Sequence, residues 1–429
     1  MNRSIKILAT ADLHLGRSSS DVTEDHASTK YTLQKITQYC IDKQVDLLLL
    51  CGDIIDWDNR FFEAYGPMQE AFDNLGKHQI EVFLVAGNHD FGALPQVIQT
   101  GNNAHVHFLG KDEKWEVRQF TKNGQTIQLV GWSFSRRYVK ESALLTWDSS
   151  ILNPNYPTIG LLHGDVDAHN SNYGPIRLDD LRNTNISLWI LGHIHRPQQL
   201  ADRPDVWYTG SPQALSSKEP GIHGPLLITM HGHQHFEVEQ IPMSPIRYEH
   251  ISIDITGISN ENELRDRIIY QLDQNATKII TELEEVKSLI YQITLVGKSN
   301  LTQEIENWKK TVVDHRVRLE TGTMVAVRRV DTQISPEISN LHQLAQQSSP
   351  AGILANTILA IEENREDVFL EELVQDWIQK IESAHRVGVY SPLTGDRKLK
   401  TTPEQAKLAI KEECNRLLGE LLNQISKSN

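Results

Sequence analysis

Cysteine is scarce in this chain of 429 residues, which contains only Cys40, Cys51 and Cys414. Three scattered cysteines exclude a disulfide-stabilised secreted domain and a four-thiolate zinc site, and they fit a reducing cytoplasm. No apolar run approaches the roughly 20 residues of a membrane span, so we expect no association with a membrane. The N-terminus enters a predicted strand almost at once, which leaves no room for a signal peptide and predicts a cytoplasmic protein.

Positive charge is also in deficit, because 42 Lys and Arg residues face 56 Asp and Glu residues and give a formal net charge of −14. Nucleic-acid-binding proteins are usually basic or carry a basic stripe, so the charge predicts weak intrinsic affinity for DNA. Carboxylates that bind metal ions inflate the acidic count, and bound dications would offset them. The basic residues near the motifs described below are Arg17, Arg60, Arg136, Arg137 and Arg196. Each is either a solvated surface arginine or a phosphate contact.

The remaining composition is ordinary, with 39% hydrophobic and 23% charged residues, as in a typical globular protein with room for two or three domains. Five short clusters of potential metal ligands lie along its first half. Every donor is an imidazole, a carboxylate or an amide oxygen, a mixture that suits divalent manganese, iron or zinc. The clusters are Asp12-Leu13-His14, Gly52-Asp53-Ile54-Ile55-Asp56, Gly87-Asn88-His89-Asp90, His163-Gly164 and Gly192-His193-Ile194-His195.

Each cluster directly follows an apolar run that predicts a β-strand. The runs cover residues 5–9, 45–51, 82–86, 159–162 and 188–191. Amphipathic stretches near residues 29–43 and 61–78 separate the first three runs, and this alternation predicts an α/β layer architecture. Ligands placed past the carboxyl ends of several strands converge on one crevice, as in open α/β sheets.

Each cluster taken alone has an ordinary explanation. An Asp-x-His pair occurs by chance, Gly-Asp-x-x-Asp is common turn chemistry, and a histidine such as His163 at a strand end is more often a core or surface residue. Gly-Asn-His-Asp and Gly-His-x-His are more specific, because glycine lets the backbone turn closely. All five in this order, each at a strand end, predict a dinuclear metal site.

The five clusters resemble the motif series of the calcineurin-like metallophosphoesterases. Their flanks are similar to those of the SbcD-type nuclease of bacterial DNA repair and its archaeal and eukaryotic break-repair relatives. The resemblance covers about residues 3–245 and implies a β-sandwich flanked by helices (αββα). The segments that carry the closer match are Ala11-Asp12-Leu13-His14-Leu15-Gly16, Ala86-Gly87-Asn88-His89-Asp90, Leu191-Gly192-His193-Ile194-His195-Arg196-Pro197-Gln198 and Gly210-Ser211-Pro212-Gln213.

The resemblance also implies a role for each matching residue. One metal would be held by Asp12, His14 and His195, the other by Asn88, His163 and His193, and Asp53 would bridge both. Two divalent cations, with Mn²⁺ expected first and Fe²⁺, Zn²⁺ or Mg²⁺ as alternatives, would clamp a phosphodiester and activate a water. His89 would be the histidine that donates a proton without binding metal, and Asp90 would orient its ring. Asp56 would contact the metal ligands without binding metal itself.

After about residue 245 the sequence pattern changes. Predicted strands at 251–255 and 289–296 and predicted helices at 262–275 and 301–313 indicate a small α/β domain, which the resemblance places as a capping, DNA-selecting domain at 246–335. Residues 336–429 contain helical stripes around Leu370 and Leu418, preceded by a polar linker at 335–350 and interrupted by a loop at 388–400. We therefore expect domains at 1–245, 246–335 and 336–429.

The C-terminal helices either pack on each other as a helical hairpin or bind a partner. In the resembling family such helices tether a coiled-coil ATPase of the SbcC type, and a homodimer is a further expectation. Gly297-Lys298-Ser299 lacks the first glycine of a phosphate loop, because residue 292 is glutamine, so the sequence predicts no nucleotide site of its own.

Three function classes follow from these observations. The first is a manganese-dependent DNA exonuclease and endonuclease that acts in DNA repair as the nuclease component of an ATPase-linked complex. The second is a related phosphodiesterase for nucleotides or other small phosphoesters; a protein phosphatase is disfavoured because Trp57-Asp58 follows Asp56 in place of Arg-Gly. The third is a scaffold without catalysis, which the complete ligand set argues against.

Overall fold

The computed structural model describes residues 4–59, 62–101, 103–168, 170–202, 205–231, 235–312, 316–319, 321–336, 338, 340–385 and 402–427. The strands are β1 (Ile5–Thr10), β2 (Leu47–Cys51), β3 (Glu81–Val85), β4 (Val106–Phe108), β5 (Glu116–Lys122), β6 (Gln125–Gly131), β7 (Thr158–His163), β8 (Leu188–Gly192), β9 (Gln198–Asp202), β10 (Asp205–Tyr208), β11 (Leu226–His231), β12 (His235–Gln240), β13 (Ile246–Asp254), β14 (Ser288–Lys298), β15 (Arg316–Arg318) and β16 (Met324–Ser335). The α-helices are α1 (Thr29–Asp42), α2 (Phe62–Lys77), α3 (Leu94–Gln99), α4 (Leu178–Arg182), α5 (Glu261–Lys278), α6 (Thr302–Val312), α7 (Leu341–Ala345), α8 (Pro350–Glu362), α9 (Val368–His385) and α10 (Pro403–Lys427).

The chain divides into two compact units. The first comprises residues 1–250, 276–292 and 313–329, and the second comprises residues 251–275, 293–312 and 330–429. The division expected at residues 245 and 335 stays a prediction.

The first unit contains two six-stranded sheets. Their strand orders are β12-β11-β1-β2-β3-β4 and β5-β6-β7-β8-β10-β9. Strand β1 is parallel to β2 and antiparallel to β11, and β7 is parallel to β8. A third sheet, of four strands, has the order β13-β14-β16-β15. The five apolar runs that predict strands overlap β1, β2, β3, β7 and β8.

Strands β1 and β2 are buried on both faces, which explains their nearly unbroken apolar sequences. Successive side chains in a strand point to opposite faces. Ile5 and Ile7 of β1 therefore join Ile159 of β7 and Ile190 of β8 in one apolar cluster, where residues from both sheets meet. Leu8, the next residue of β1, joins a second cluster on the other face.

Helices cover the outer face of the first sheet, because Ile36 of α1, Phe72 of α2 and Val97 of α3 belong to the same cluster as Leu8. The corresponding cluster on the second sheet contains Trp189 of β8 and Leu181 of α4 together with connecting segments. The expected α/β fold with sheets flanked by helices is confirmed.

The C-terminal region is helical, as predicted, but the expected linker at 335–350 is wrong in part. It contains α7 and leads directly into α8, whose sequence is apolar on nearly every side and so lacks the amphipathic period that marks a surface helix. Helices α8, α9 and α10 share one apolar cluster. The predicted loop at 388–400 lies outside the described residues.

The cysteines and the lengths of the apolar helices can be compared with the sequence-based expectations. Cys40, Cys51 and Cys414 are all buried and carry no disulfide. Among the described helices, none combines the length and the apolar character that crossing a bilayer requires.

Candidate metal centre

The five ligand clusters meet where the carboxyl ends of β1, β2 and β3 of the first sheet approach those of β7 and β8 of the second. Three sets of side chains place their ligand atoms within 4.8 Å of one another. The sets are Asp12, His14 and His195; His14, Asp53 and His89; and Asp53, His163 and His193. Residues far apart in sequence therefore form one site.

The backbone around the ligands adopts a conformation that side-chain-bearing residues rarely take. Asp12, His14, Asp53 and His193 have φ angles of 51°, 47°, 52° and 99°, in the left-handed region that favours glycine. Such conformations cost of order 1–3 kcal/mol each and concentrate at functional sites. The first two loops hold each other in place, because the His14 N–H donates to the Asp53 carbonyl at 3.0 Å.

The first set of ligands has two histidines whose ring nitrogens face each other. The Nε2 atoms of His14 and His195 are 3.2 Å apart. His14 Nδ1 donates to Asp56 at 3.1 Å, and His195 Nδ1 donates to Glu219 at 2.8 Å. With each Nδ1 proton held by a carboxylate, both Nε2 lone pairs point toward the same space, which suits a cation.

Asp12 completes this first set and is also fixed by the backbone. Its two carboxylate oxygens accept from the N–H of His193 at 3.1 and 3.0 Å. These bonds join Asp12, which lies just after the end of β1, to His193, which directly follows β8.

The third set is centred on His163, whose side chain is fully buried. Its Nδ1 donates to the Cys51 carbonyl at 3.0 Å, while its Nε2 lies 3.2 Å from Asn88 Oδ1 and 3.3 Å from Asp53 Oδ2. His193 Nε2 lies 3.3 Å from Asp165 Oδ1. The nitrogen that would bind metal on His163 is therefore the one that faces Asn88 and Asp53.

Asp53 occurs in two of the three ligand sets, the position that a bridging carboxylate requires. The turn that follows β3 comes very close to it: a Cβ atom on Gly87 would lie 2.2 Å from Asp53 Oδ1. Only glycine permits this approach. The His89 N–H donates to the same oxygen at 2.8 Å.

The side chain beside the His89 ring is Asp56, and this corrects the expected role of Asp90. His89 Nδ1 lies 3.5 Å from Asp56 Oδ1. The Asp90 oxygens instead accept from the N–H groups of Gly87 at 2.8 Å and Ile54 at 2.7 Å. Asp90 is buried, and its carboxylate joins the turn after β2 to the turn after β3.

The electrostatics of the site reflect dense pairing of opposite charges. Burial would raise the pKa of Asp53, but the charge and hydrogen bond of His163 outweigh it and lower that pKa. Burial likewise opposes ionisation of Asp56, whose pKa is nevertheless held well below its usual range by hydrogen bonds from His14 and His89. For His163, burial lowers the pKa, but the Asp53 charge raises it overall. Both carboxylates are therefore ionised at neutral pH.

Two carboxylates at the site are missing from the sequence-based predictions. Asp165 follows the His163-Gly164 pair closely, so its position offered a signal. Glu219 had none, because it belongs to a loop without a strand before it. Glu219 also accepts from the Leu215 N–H at 2.7 Å and from Ser211 Oγ at 3.3 Å.

The arginines predicted near DNA have different surroundings. Arg17 Nη1 lies 4.0 Å from Asp56, and Arg136 Nε forms an ion pair with Glu113 at 3.2 Å. The Arg137 guanidinium lies over aromatic rings. Arg196 is exposed next to His195, and Arg60 lies outside the described residues.

The donor set fits two divalent cations. It offers imidazole nitrogens, carboxylate oxygens and one amide oxygen, with no thiolate, and the facing Nε2 atoms of His14 and His195 have an arrangement that a cation would stabilise. His193, His195 and His89 keep 18%, 26% and 29% of their side chains exposed, so a substrate can reach this side of the site.

Comparison with known proteins shows what these residues are similar to. Residues 5–197 match the family described as calcineurin-like phosphoesterase. The chain is 30% identical over 243 residues to the protein named uncharacterized metallophosphoesterase YhaO of Bacillus subtilis, and this match covers 55% of the chain and 58% of that protein. The chain thus spans less than two thirds of that relative's length.

Two further relatives are more distant. The chain is 22% identical over 298 residues to the SbcD component of the nuclease SbcCD of Staphylococcus epidermidis, covering 60% of the chain and 77% of that protein. It is 24% identical over 230 residues to the DNA double-strand break repair protein Mre11 of Nanoarchaeum equitans, covering 49% and 62%.

Two solved structures show a weak likeness. A dimetal phosphatase from Danio rerio gives a TM-score of 0.34 at 12% identity, over 55% of this chain and 98% of that one. Purple acid phosphatase PPD1 from yellow lupin gives 0.36 at 12% identity, over 56% and 52%. Scores this low support no argument about fold or activity.

Proposed function

Because residues 5–197 match the calcineurin-like phosphoesterase family, we propose that the chain is a metal-dependent phosphodiesterase that cleaves DNA as an exonuclease and endonuclease. Asp12, His14 and His195 hold one cation in this proposal, and Asn88, His163 and His193 hold the other. Asp53 bridges them.

The observation that carries the proposal is the convergence of these side chains with their supporting hydrogen bonds already formed. His14, His163 and His195 each have Nδ1 bonded to an oxygen acceptor, so each presents Nε2 to the centre. Such preorganisation is what binding a pair of cations requires.

Two bound cations would polarise the phosphoryl oxygens and make a hydroxide available at neutral pH. His89 supplies what they cannot, a proton for the departing oxygen. Burial lowers the pKa of His89, but the hydrogen bond to Asp56 and the charges of Asp53 and Asp56 raise it overall. This shift of the pKa favours the protonated ring, and 29% of the side chain faces solvent.

The choice of DNA as substrate is supported by the names of two relatives and by the flanks of the motifs. One relative is named as part of a nuclease and another as a DNA double-strand break repair protein. The Arg17 side chain is 46% exposed beside Asp56, where it can contact a phosphate. The net charge of −14 predicts that this grip is weak without a partner.

We propose Mn²⁺ as the working metal, because a mixed set of imidazole and oxygen donors without thiolate suits it. Fe²⁺, Zn²⁺ and Mg²⁺ are the ions against which it should be compared. The proposed location is the cytoplasm.

We further propose that the C-terminal helices bind a coiled-coil ATPase and that residues 246–335 help to select DNA. Large apolar side chains on α8, α9 and α10 are exposed, namely Ile353, Val368, Phe369 and Leu408. Phe369→Glu should abolish co-purification of the ATPase while leaving hydrolysis of a small phosphodiester unchanged. Tyr270→Glu, at an exposed aromatic of α5, is the control that should retain the partner.

The test of the proposed function is cleavage of linear duplex, hairpin and single-stranded DNA with Mn²⁺, with bis-nitrophenyl phosphate assayed in parallel. His89→Ala should retain both metals and lose at least about 100-fold in DNA cleavage. His107→Ala is the matched control, because His107 is 31% exposed and pairs with Glu81 at 2.6 Å in the same unit. It should cleave at the wild-type rate.

Two outcomes would contradict the proposal. Hydrolysis of the small ester without any DNA cleavage, even with the ATPase added, would favour a small-substrate phosphodiesterase. No hydrolysis of either substrate with both metals verified would favour a scaffold.

A further inference from the structure

A chain of contacting aromatic and arginine side chains lies beside the metal centre. Tyr173 contacts the candidate ligand His193, with ring centroids 5.1 Å apart. Tyr138 contacts Tyr173 at 5.8 Å. The guanidinium of Arg137 lies 5.4 Å from the centre of the Tyr138 ring and 4.9 Å from that of Trp57.

Both ends of this row of side chains lie next to the metal centre. At one end is His193, and at the other is Trp57, which directly follows Asp56 and whose backbone nitrogen lies 3.4 Å from His89 Nδ1. Trp57 also contacts Phe91 at 5.6 Å. The rings therefore line one margin of the site between a metal ligand and the proposed proton donor.

Backbone hydrogen bonds hold the two tyrosines in place. Val139, the neighbour of Tyr138, forms a parallel bridge with Tyr173. The Val139 N–H donates to the Asn172 carbonyl at 2.9 Å, and the Gly174 N–H donates to the Val139 carbonyl at 2.8 Å. The platform thus exists before a ligand arrives, so little ordering cost remains for binding.

These aromatic and arginine side chains are too exposed to be part of the hydrophobic core. Tyr138 has 49% of its surface exposed, Arg137 is exposed, and Trp57 and Tyr173 are half-buried. Arg137 is held flat against two rings, an arrangement that offers a planar surface as well as a charge. A flat, partly aromatic surface at the margin of a phosphodiesterase site recognises a flat ligand better than it recognises a phosphate.

We propose that Trp57, Arg137, Tyr138 and Tyr173 form a nucleobase-stacking platform that holds an unpaired base next to the phosphodiester in the metal centre. This inference rests on the proposed function and adds a feature of substrate choice. Every base has a π face, so stacking tolerates any sequence. It requires that the base be unpaired, which directs the enzyme to single-stranded ends and to frayed termini of duplexes.

The first measurement is equilibrium binding of a short single-stranded oligonucleotide that carries the fluorescent base 2-aminopurine. His89→Ala is the background, so that turnover does not consume the probe. The platform should quench the fluorescence, and adding Tyr138→Ala should weaken binding about 5- to 100-fold. Tyr138→Phe should restore it, because the phenyl ring keeps the stacking face.

The second measurement uses the same oligonucleotide with abasic sugars near the scissile position. The affinity for this strand should differ less than about two-fold between His89→Ala and the double variant that also carries Tyr138→Ala, because the strand has no base to stack. Tyr39→Ala is the control variant, since Tyr39 also pairs with a cation, Lys43, at 5.9 Å, but on α1. It should affect neither strand.

Three results would overturn the platform. They are unchanged binding of the base-containing strand in Tyr138→Ala, an equal loss for the abasic strand, and an equal loss in Tyr39→Ala. The outcome is separable from that of the nuclease proposal. DNA cleavage without dependence on Tyr138 would retain the nuclease and refute the platform. Tyr138-dependent quenching of a free 2-aminopurine nucleotide, without cleavage of any DNA, would retain the platform and refute the nuclease.

Discussion

Glu219 is the residue for which the structure makes the sharpest prediction, because no motif marks it. Its carboxylate accepts from His195 Nδ1 at 2.8 Å and so aims the Nε2 of that ring at the metal centre. Burial lowers the pKa of His195, but the hydrogen bond to Glu219 and nearby carboxylate charges raise it. Glu219 thus makes His195 a more basic and better oriented ligand.

The expected magnitude follows from that single bond. A hydrogen bond to a charged group contributes about 1.5–3 kcal/mol, which corresponds to roughly a 10- to 100-fold change in an equilibrium constant. Glu219→Gln keeps the shape and removes the charge, so it should weaken one Mn²⁺ site by that factor. Calorimetric titration with Mn²⁺ should then show one weakened step and one unchanged step.

Glu237→Gln is the matched control, because Glu237 of β12 pairs with His231 of β11 at 3.2 Å and both side chains are exposed. It should bind both ions as the wild type does. Unchanged binding in Glu219→Gln would refute the reasoning. Equal weakening of both steps, with a lower melting temperature, would show that Glu219 stabilises the fold instead of orienting one ligand.

Three other predictions follow from the geometry. Asp53→Ala should reduce metal-dependent hydrolysis more than about 1,000-fold, because it removes the bridge; a rate assay with bis-nitrophenyl phosphate checks this, and retained activity would refute the bridging role. Metal binding should release protons and strengthen as the pH rises from about 6 toward 9. The reason is that burial lowers the pKa of His163, but the negative charge of Asp53 raises it overall, to about 9 in the metal-free site, so a proton must leave before the ring can bind a cation. Calorimetry in buffers of different ionisation enthalpy measures the proton release, and an affinity that does not change with pH would contradict the prediction. Gly87→Ala should lower metal affinity at least about 10-fold, since its Cβ would meet Asp53 Oδ1 at 2.2 Å; wild-type affinity in that variant would show that the turn can shift freely.

The layered fold was predictable because its strands carry an unusually clear signal. Strands β1 and β2 are apolar on both faces, and each ends at a cluster of polar donors, so strand type and strand end were both marked in the sequence. Helix α8 was not predictable by the same means. It is apolar on nearly all sides, and no periodic pattern separates it from the polar stretch before it.

The sequence marks the candidate ligands, which come together in the structure, but it does not mark the contacts of Glu219 and Asp90. A ligand next to a strand end has its position set by local sequence. The contacts of Glu219 and Asp90 are set by how loops from different strands approach each other, and a single sequence carries no local mark of that approach. Asp90 shows this well, since it follows His89 directly yet bonds to Gly87 and Ile54.

The central claim is that two cations held by these residues hydrolyse a phosphodiester. Equilibrium dialysis against Mn²⁺, with elemental analysis and hydrolysis of bis-nitrophenyl phosphate measured on the same samples, tests it directly. We predict two ions per chain at saturation, with hydrolysis appearing as the second site fills. A single ion per chain at full activity, or two ions without hydrolysis of either this ester or DNA, would contradict the claim.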